Sequence, residues 1–136
     1  MSTSPLIALR KAIRLRLLSH APLVAALGGA KIYEEAPQGA VTPYVLFMDA
    51  QMRDWSGAAS RGAEHFFTLA VISTERGFGA ALAAGQQIAD LIDEATLSLD
   101  GHRLIDLRFV SMDTKRDSGG RFARVAILFR ATTEYL

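Results

Sequence analysis

The order of hydrophobic and polar positions divides the chain into helical and extended segments. Ser4-Pro5 is a favourable helix start, with serine as the N-cap and proline at the first helical position. His20-Ala21-Pro22 ends this helix, and residues 23–27 can add one further turn before Gly28-Gly29. Helical periodicity predicts a core-facing stripe formed by Leu6, Leu9, Ile13 and Leu17.

The stretch from Gly28 to Val45 has two glycines at its start and two prolines further on. Glycine supplies the positive φ angles that end a helix, and each proline moves its predecessor to extended geometry. We therefore expect a hinge that carries the first helix onto a β-sheet. Tyr33 and Tyr44 lie at strand starts within it and are expected to be packing residues.

Two strands and a second long helix are predicted in the middle of the chain. Residues 44–52 form the first strand, and residues 66–72, apolar almost throughout, form a strand expected at the centre of the sheet. A polar stretch rich in glycine and serine, residues 53–62, separates them. The helix is predicted over residues 77–95, with an inward face of Phe78, Leu82, Gly85, Ile88, Ala89, Ile92 and Ala95.

The last third of the chain shows the alternation of a β-hairpin. Asp100-Gly101 marks a turn, and two alternating runs follow it, joined by a long charged tip predicted at residues 113–121. The inward positions expected in these strands are Ile105, Leu107 and Phe109 in the first and Val125, Ile127, Phe129 and Ala131 in the second.

Together these elements predict a single α+β domain spanning residues 1–136. Their order is helix, strand, strand, helix, strand, strand, and no linker or internal repeat divides the chain. One face of each late strand is polar, which favours an antiparallel sheet with one solvated face. We expect a two-layer fold: a mainly antiparallel sheet of about four strands, with the N-terminal and central helices packed on one face.

The distribution of charge adds a local basic element to this fold. Half of the 136 residues are hydrophobic and the net charge is +1, which argues against a polyanion-binding domain. The first twenty residues nevertheless hold four cations and no acid. Three uses are open to them: contacts to phosphates, salt bridges to a neighbouring subunit, or a solvated face. A platform for base stacking would require aromatic side chains among the cations, and few are present. These cations are Arg10, Lys11, Arg14 and Arg16.

No residue pattern predicts catalysis, a metal or a cofactor. His20, His65 and His102 are isolated in sequence, which disfavours a metal site. Gly77-Phe78-Gly79 opens a helix after a strand, but Leu82 stands where a phosphate-binding motif has its last glycine. We expect no catalytic residues, no metal and no cofactor. An enzyme of unrecognised type remains an alternative function.

The sequence shows no sign of export or membrane insertion. No apolar run reaches membrane-spanning length, and the first residues lack a charged leader region. The chain has no cysteine, which fits a reducing compartment. We therefore expect a soluble protein made in the cytoplasm, without membrane contact.

Trp55 lies in a polar stretch, Arg53-Asp54-Trp55-Ser56-Gly57, where local structure does not require an aromatic side chain. Tryptophan and arginine are enriched at the energetic centres of protein interfaces. Trp55 is therefore expected either to cover the core or to anchor an interface, and the sequence leaves both possibilities open.

The order and spacing of short motifs along almost the whole chain resemble one protein family. They begin with the amphipathic helix and continue through Gly28–Pro37, Thr42–Val45, Arg53–Ser56, Gly62–Phe66, the helix from Gly77, Leu99–Leu104, Lys115–Asp117 and Phe129–Ala131. In this order they are similar to the tail terminator, or tail completion, proteins of long-tailed phages and of phage-derived gene transfer agents.

This resemblance implies a structural role without enzymatic activity. Family members share the two-layer α+β fold and form a hexameric ring that caps the finished tail tube and stops its polymerisation. The ring also meets the head–tail connector or stopper protein, and DNA passes through its lumen without sequence recognition. For this chain it implies a place at the tail–neck junction of a virion or phage-like particle assembled in the bacterial cytoplasm. An infectious phage, a prophage and a gene transfer agent all remain possible sources.

Two loops and the basic helix are expected to carry the contacts of such a ring. A ring needs two different patches on each subunit, and sheet edges are natural joints. The hairpin tip and the 53–62 loop are expected to contact neighbours in the stack, through Arg53, Asp54, Trp55, Lys115, Arg116, Asp117 and Arg121. Some of Arg10, Lys11, Arg14 and Arg16 are expected near the lumen or at the subunit joint.

Two other functions fit the same residues. One is another neck component, a connector-completion or stopper protein. The other is a small nucleic-acid-binding module that uses the basic helix. A hexamer-sized mass in solution favours the ring, whereas a monomer with salt-sensitive DNA affinity favours the binding module.

Overall fold

The computed structural model describes residues 3–117 and 119–136 of the chain. This part of the chain contains three helices and six strands. The helices are α1 (Pro5–Leu18), α2 (Ala21–Leu27) and α3 (Gly79–Ile92). The strands are β1 (Ile32–Tyr33), β2 (Tyr44–Asp54), β3 (Gly62–Ser73), β4 (Ser98–Leu99), β5 (His102–Arg116) and β6 (Ala123–Tyr135).

The strands form one sheet in the order β1-β2-β3-β6-β5-β4. The β1–β2 pair is parallel and every other neighbouring pair is antiparallel. The predicted α+β class and mainly antiparallel sheet are confirmed, and β3 lies near the sheet centre. The prediction of about four strands is wrong, because the described residues form six. The two extra strands, β1 and β4, have two residues each and are too short to show an alternating pattern.

The hinge after the first helix is present and contains β1. Gly28 has a φ of 78° and ends α2, and its amide donates to the Ala25 carbonyl oxygen at 3.1 Å. The chain then pairs Ile32 with Val45, so that the hinge places a parallel strand beside β2. The optional turn predicted after Pro22 is a separate helix, α2.

The helices and one face of the sheet share a single hydrophobic core. Of the predicted α1 stripe, Leu9, Ile13 and Leu17 are buried and Leu6 is half-buried. All four inward positions predicted in β6 are fully buried in the same core. They are Val125, Ile127, Phe129 and Ala131.

The helix α3 is shorter than predicted, because it begins at Gly79 and ends at Ile92. Its buried stripe consists mainly of small residues, which let the helix approach the sheet closely. Leu82 was predicted to face inward, but it is 38% exposed because Ala81 and Ala84 occupy the core-facing positions.

Gly85 sets the distance between α3 and β6. A β-carbon at this position would lie 3.0 Å from Val125 Cγ1 and 3.6 Å from Ile127 Cδ1. Gly85→Val must displace the helix or the strand, and we expect it to lower the free energy of unfolding by about 2–3 kcal/mol. Ala83→Val on the exposed face of α3 should cost about 0.5 kcal/mol, through helix propensity alone. Urea unfolding followed by circular dichroism measures both, and equal losses would contradict the close packing at Gly85.

Two bulges interrupt the alternation of β5. The register against β6 shifts between Leu104 and Asp106 and again between Phe109 and Ser111. Each bulge adds one residue, so that Ile105 and Val110 are 45% and 47% exposed. The prediction that Ile105 faces inward is therefore wrong. Leu107 is buried as predicted, and Phe109, 40% exposed, lies opposite Phe129.

Both loops expected to carry contacts are shorter than predicted. Pairing of β5 with β6 continues to Arg116 opposite Ala123, so that residues 113–116 are strand rather than hairpin tip. Arg53 and Asp54 likewise belong to β2, where they pair with Glu64 and Ala63. The connections are thus residues 55–61 and 117–122, and of the second Ser118 lies outside the described residues.

Candidate functional site

The two predicted contact loops lie at opposite ends of the sheet. Gly62, at the start of β3, pairs with Glu134 near the end of β6, whereas Ser73, at the end of β3, pairs with Ala123 at the start of β6. The 55–61 loop therefore projects from one end and the β5–β6 tip from the other. The length of β3 separates these ends by roughly 36 Å.

At the 55–61 end, a buried carboxylate holds two arginines. Glu64 is only 6% exposed, and its Oε2 accepts from Arg130 Nη2 at 2.6 Å and from Nε at 2.8 Å. Arg53 Nε donates to Glu64 Oε1. Hydrogen bonds from Arg130 first, and then from Arg53, hold the pKa of the Glu64 carboxyl below its usual value. The ion triad fixes the end of β2 against β3 and β6 and leaves Arg53 facing solvent, with 65% of its side chain exposed.

Trp55 follows the end of β2 and lies on the surface. Its side chain is 48% exposed and lies outside the hydrophobic core cluster. Its amide donates to the Gly62 carbonyl oxygen at 2.9 Å, and a β-carbon at Gly62 would come within 3.0 Å of the Trp55 carbonyl oxygen. A shallow groove runs from Trp55 to the exposed Ile105 and to Glu134. This end therefore presents an aromatic and aliphatic patch with charges at its margin.

At the hairpin end, a row of four paired residues crosses the sheet. Tyr44 lies opposite Ile72, Ile72 opposite Arg124, and Arg124 opposite Lys115. The alternation of each strand places this row on the face away from the helices, because Val45 and Val71 point into the core.

The row forms the floor of a groove of about 550 Å³, which we call the tip groove. Its β2–β3 side is apolar and its β5–β6 side is basic, with three cations and one carboxylate. Arg116 stacks over Phe78, its guanidinium carbon 5.0 Å from the ring centroid. The residues that line the tip groove are Tyr44, Ile72, Lys115, Arg116, Asp117, Phe122 and Arg124.

Arg121 and Asp117, also predicted at the tip, have local contacts. The Arg121 guanidinium lies 5.1 Å from the centroid of the Phe122 ring. Asp117 Oδ1 accepts from the Phe122 amide at 3.1 Å, and its own amide donates to the Phe122 carbonyl oxygen. Asp117 thus helps to close the hairpin.

The four cations of α1 have partners within the chain. Arg14 Nε donates to the Ile32 carbonyl oxygen at 3.0 Å, which joins α1 to β1. The three other contacts attach α1 to β2, to the β4–β5 turn and to α3. They are Arg10 Nη2 to the Met48 carbonyl oxygen at 3.5 Å, Lys11 Nζ to Asp100 Oδ2 at 3.0 Å and Arg16 Nε to the Leu91 carbonyl oxygen at 3.1 Å.

Two buried histidines lie where β3, β5 and β6 meet. His65 is fully buried, and its Nε2 lies 3.0 Å from Thr133 Oγ1. His102 Nε2 donates to the Thr3 carbonyl oxygen at 2.6 Å, and its ring packs edge-on against Tyr135. Burial, and to a lesser extent the nearby His102, lowers the pKa of His65 to about 4.

This lowered pKa predicts acid sensitivity. His65 is neutral in the folded protein at pH 5, whereas the unfolded chain binds a proton below its ordinary value of 6.5. The contribution of neutral His65 to the free energy of unfolding is therefore fully present above pH 6.5 and is lost as the pH decreases towards 4. The expected loss between pH 7.5 and pH 5 is about 2 kcal/mol. Urea unfolding at several pH values measures the loss, with His65→Gln as the comparison. Glu64 makes the free energy of unfolding depend on pH only below its ordinary pKa of 4.5, so it does not affect the comparison above pH 5. If the free energy of unfolding falls equally with pH in both proteins above pH 5, the assignment to His65 is refuted.

Within residues 3–117 and 119–136, no group of three or more acidic or histidine side chains is placed to hold a metal ion. The helices of the same residues include none long and apolar enough to cross a membrane.

Comparison with known proteins identifies the family. The sequence profile described as Tail completion protein gp17 matches residues 11–134. The chain belongs to this family. A chain in the structure of the virion of a native gene transfer agent particle is similar to it, with 31% identity, a TM-score of 0.89 and coverage of 98% of this chain and 99% of that chain. A search of the curated proteins found no match.

Membership confirms the resemblance that the order of motifs indicated, and it gives this tail completion protein a structural role in tail completion. Sequence reasoning missed Glu64 and Tyr44 as parts of the two ends. Arg124 and Arg130 alternate with the buried residues of β6, but their neighbours across the sheet follow only from the register of β3 against β6. Of the predicted contact residues, Arg53, Asp54 and Trp55 lie together at one end, and Lys115, Arg116, Asp117 and Arg121 at the other.

Proposed function

We propose that this chain forms a hexameric ring that caps the tail tube, ends its polymerisation and joins the tail to the head–tail connector, with DNA passing through the lumen. The proposal is carried by the family match over residues 11–134, together with end-to-end similarity to a chain of a gene transfer agent virion. It places the protein in a phage-like particle, in a structural and non-enzymatic role.

The position of the two loops supports a cap between two different partners. A terminator must present one surface to the tube and another to the connector. The 55–61 end has an exposed tryptophan and an aliphatic neighbour, whereas the tip end is basic. Because these ends differ in chemistry and lie roughly 36 Å apart, they can bind different proteins on opposite sides of a ring.

The two sides of the sheet support the ring joint. In the described residues, β1 covers β2 only at Val45 and Leu46, and β4 covers β5 only at His102 and Arg103. Asp93 and Glu94 also hydrogen-bond to β5, at Phe109 and Leu107, so the stretch of β5 beyond Phe109 is left as an edge. On β2 the stretch beyond Leu46 is left without a neighbouring strand. Since β2 and β5 run in opposite directions, rotation about an axis along the strands brings the β5 side of one copy antiparallel to the β2 side of the next. This contact is heterologous, as a closed ring requires.

The α1 contacts favour a structural role over a nucleic-acid-binding module. Arg10, Arg14 and Arg16 each reach a backbone carbonyl of the same chain, and these contacts attach the helix to the sheet and to α3. Lys11 has 64% of its side chain exposed, and its surface ion pair contributes little to stability. Of the four cations, we assign Lys11 to the lumen or the subunit joint.

The mass of the assembly in solution tests the proposal. We expect six copies per complex, either for the protein alone or after addition of tail tubes, whose ends can serve as a template. A monomer under both conditions would contradict the ring. A monomer whose DNA affinity falls steeply with salt would indicate a nucleic-acid-binding module instead.

A further inference from the structure

The loop between β1 and β2 is an exposed acidic projection at one side of the sheet. Glu34 and Glu35 are adjacent and exposed, and Val41 is 69% exposed in the same loop. The six salt bridges found among residues 3–117 and 119–136 involve neither glutamate. The loop thus offers two carboxylates and an aliphatic side chain to a partner.

This loop is held in place by its own chain. Lys31 Nζ donates to the Val41 carbonyl oxygen at 3.0 Å and to the Pro43 carbonyl oxygen at 3.4 Å. The Thr42 and Thr74 hydroxyl oxygens lie 2.8 Å apart, which fastens the end of the loop to the end of β3. A loop ordered in this way loses little conformational entropy on binding.

The tip groove has the complementary composition. Its lining includes three cations, Lys115, Arg116 and Arg124, and one carboxylate, Asp117, which already accepts from the Phe122 amide. None of the six salt bridges of the described residues involves these three cations. Its apolar half can accommodate an aliphatic side chain. The groove therefore favours an occupant that carries both carboxylates and an aliphatic group.

The acidic loop and the basic half of the tip groove lie at the same end of the sheet but on opposite sides. The loop joins β2 at Tyr44, and the row from Tyr44 to Lys115 crosses four strands, a separation of about 14 Å. Within one copy the loop lies on the far side of β2 from the basic half of the groove. In a ring that places the β5 side of one copy against the β2 side of the next, they meet.

We propose that residues 34–41 of one copy bind the tip groove of the adjacent copy, with Glu34 and Glu35 against Lys115 and Arg124 and with Val41 on the apolar half. This inference rests on the ring proposed above and identifies its joint. Arg121, which does not line the groove, remains for the neighbour in the stack. Charge pairing at such a joint fixes the partner and the direction of the ring.

The cysteine-free sequence permits a direct cross-linking test. Glu35→Cys and Lys115→Cys in one chain, treated with a short bismaleimide, should give a ladder of linked species up to the closed hexamer. A two-fold contact would stop at dimers. The control pair, Asp90→Cys with Lys115→Cys, uses an exposed acid on α3 and should give no ladder. Assembled rings whose products match those of the control would overturn the proposal.

Charge exchange gives a second readout. Glu34→Lys with Glu35→Lys, and separately Lys115→Glu with Arg124→Glu, should each lower the yield of tailed particles about tenfold or more. The quadruple variant should recover to within about threefold of the unmodified protein, because opposite charges meet again. Circular dichroism establishes that each variant is folded. Two folded double variants with normal yield, or a quadruple variant without recovery, would overturn the docking.

The failure of this inference can be distinguished from failure of the proposed function. Hexamers that lack the link between positions 35 and 115 would retain the ring and reject this joint. The absence of any ring, with or without tail tubes, would reject both.

Discussion

Trp55→Ala should abolish most tail completion without unfolding the protein. The side chain is 48% exposed and lies outside the core, so that truncation should change the free energy of unfolding by less than about 1 kcal/mol. An aromatic anchor at an interface typically contributes about 2 kcal/mol or more, which corresponds to roughly 30-fold in affinity. We therefore expect the number of tailed particles, counted by electron microscopy in cells that carry only the variant, to fall by about that factor.

A matched control separates this effect from general surface damage. Leu82 on α3 is 38% exposed and lies on an element to which no contact is assigned. Leu82→Ala should leave the particle count unchanged. If Trp55→Ala yields normal particles, the 55–61 end does not bind the tube or connector through this residue. If instead it destabilises the fold like a core truncation, Trp55 covers the core after all.

Of the substitutions considered, Phe129→Ala should lower the free energy of unfolding most. Phe129 is fully buried at the centre of the sheet, with its ring centroid 5.3 Å from that of Phe67 and 6.3 Å from that of Phe109. Its truncation removes a large apolar group and leaves a cavity among β3, β5 and β6. The expected cost is about 3–5 kcal/mol, measured by urea unfolding. Because that is a large part of the stability of a small domain, we expect poor accumulation in cells as well.

Phe109→Ala provides the comparison within the same aromatic cluster. Phe109 is 40% exposed beside a bulge, so that less apolar area leaves the core and the expected cost is about 1–2 kcal/mol. Losses of equal size in the two variants would show that β5 contributes to the core as fully as β6 does.

Most of the fold could be predicted from the sequence because its long elements carry clear periodicity. The α1 stripe and the inward positions of β6 follow from helical and alternating patterns, and the glycines mark the end of α2. The two short strands could not be found, because two residues carry no period. The bulges of β5 were also missed. An inserted residue changes the face of everything beyond it, and only the register with β6 reveals it.

The candidate surfaces were predicted less completely, for a different reason. The sequence indicated Trp55 and the charges of the hairpin, since each is conspicuous within its own segment. The Glu64 triad and the tip groove instead combine residues from β2, β3, β5 and β6, which come together only through strand order. Tyr44, expected to be a packing residue, packs against Tyr33 and also lines the groove. Contacts between distant strands depend on topology, which local periodicity does not specify.

Electron microscopy of particles made without this chain tests the central claim most directly. If the protein caps the tail tube and joins it to the connector, its removal should leave tailless heads and free tubes longer than those of complete particles. Supplying the chain in trans should restore joined tails of uniform length. Joined tails of normal length in its absence would contradict the account.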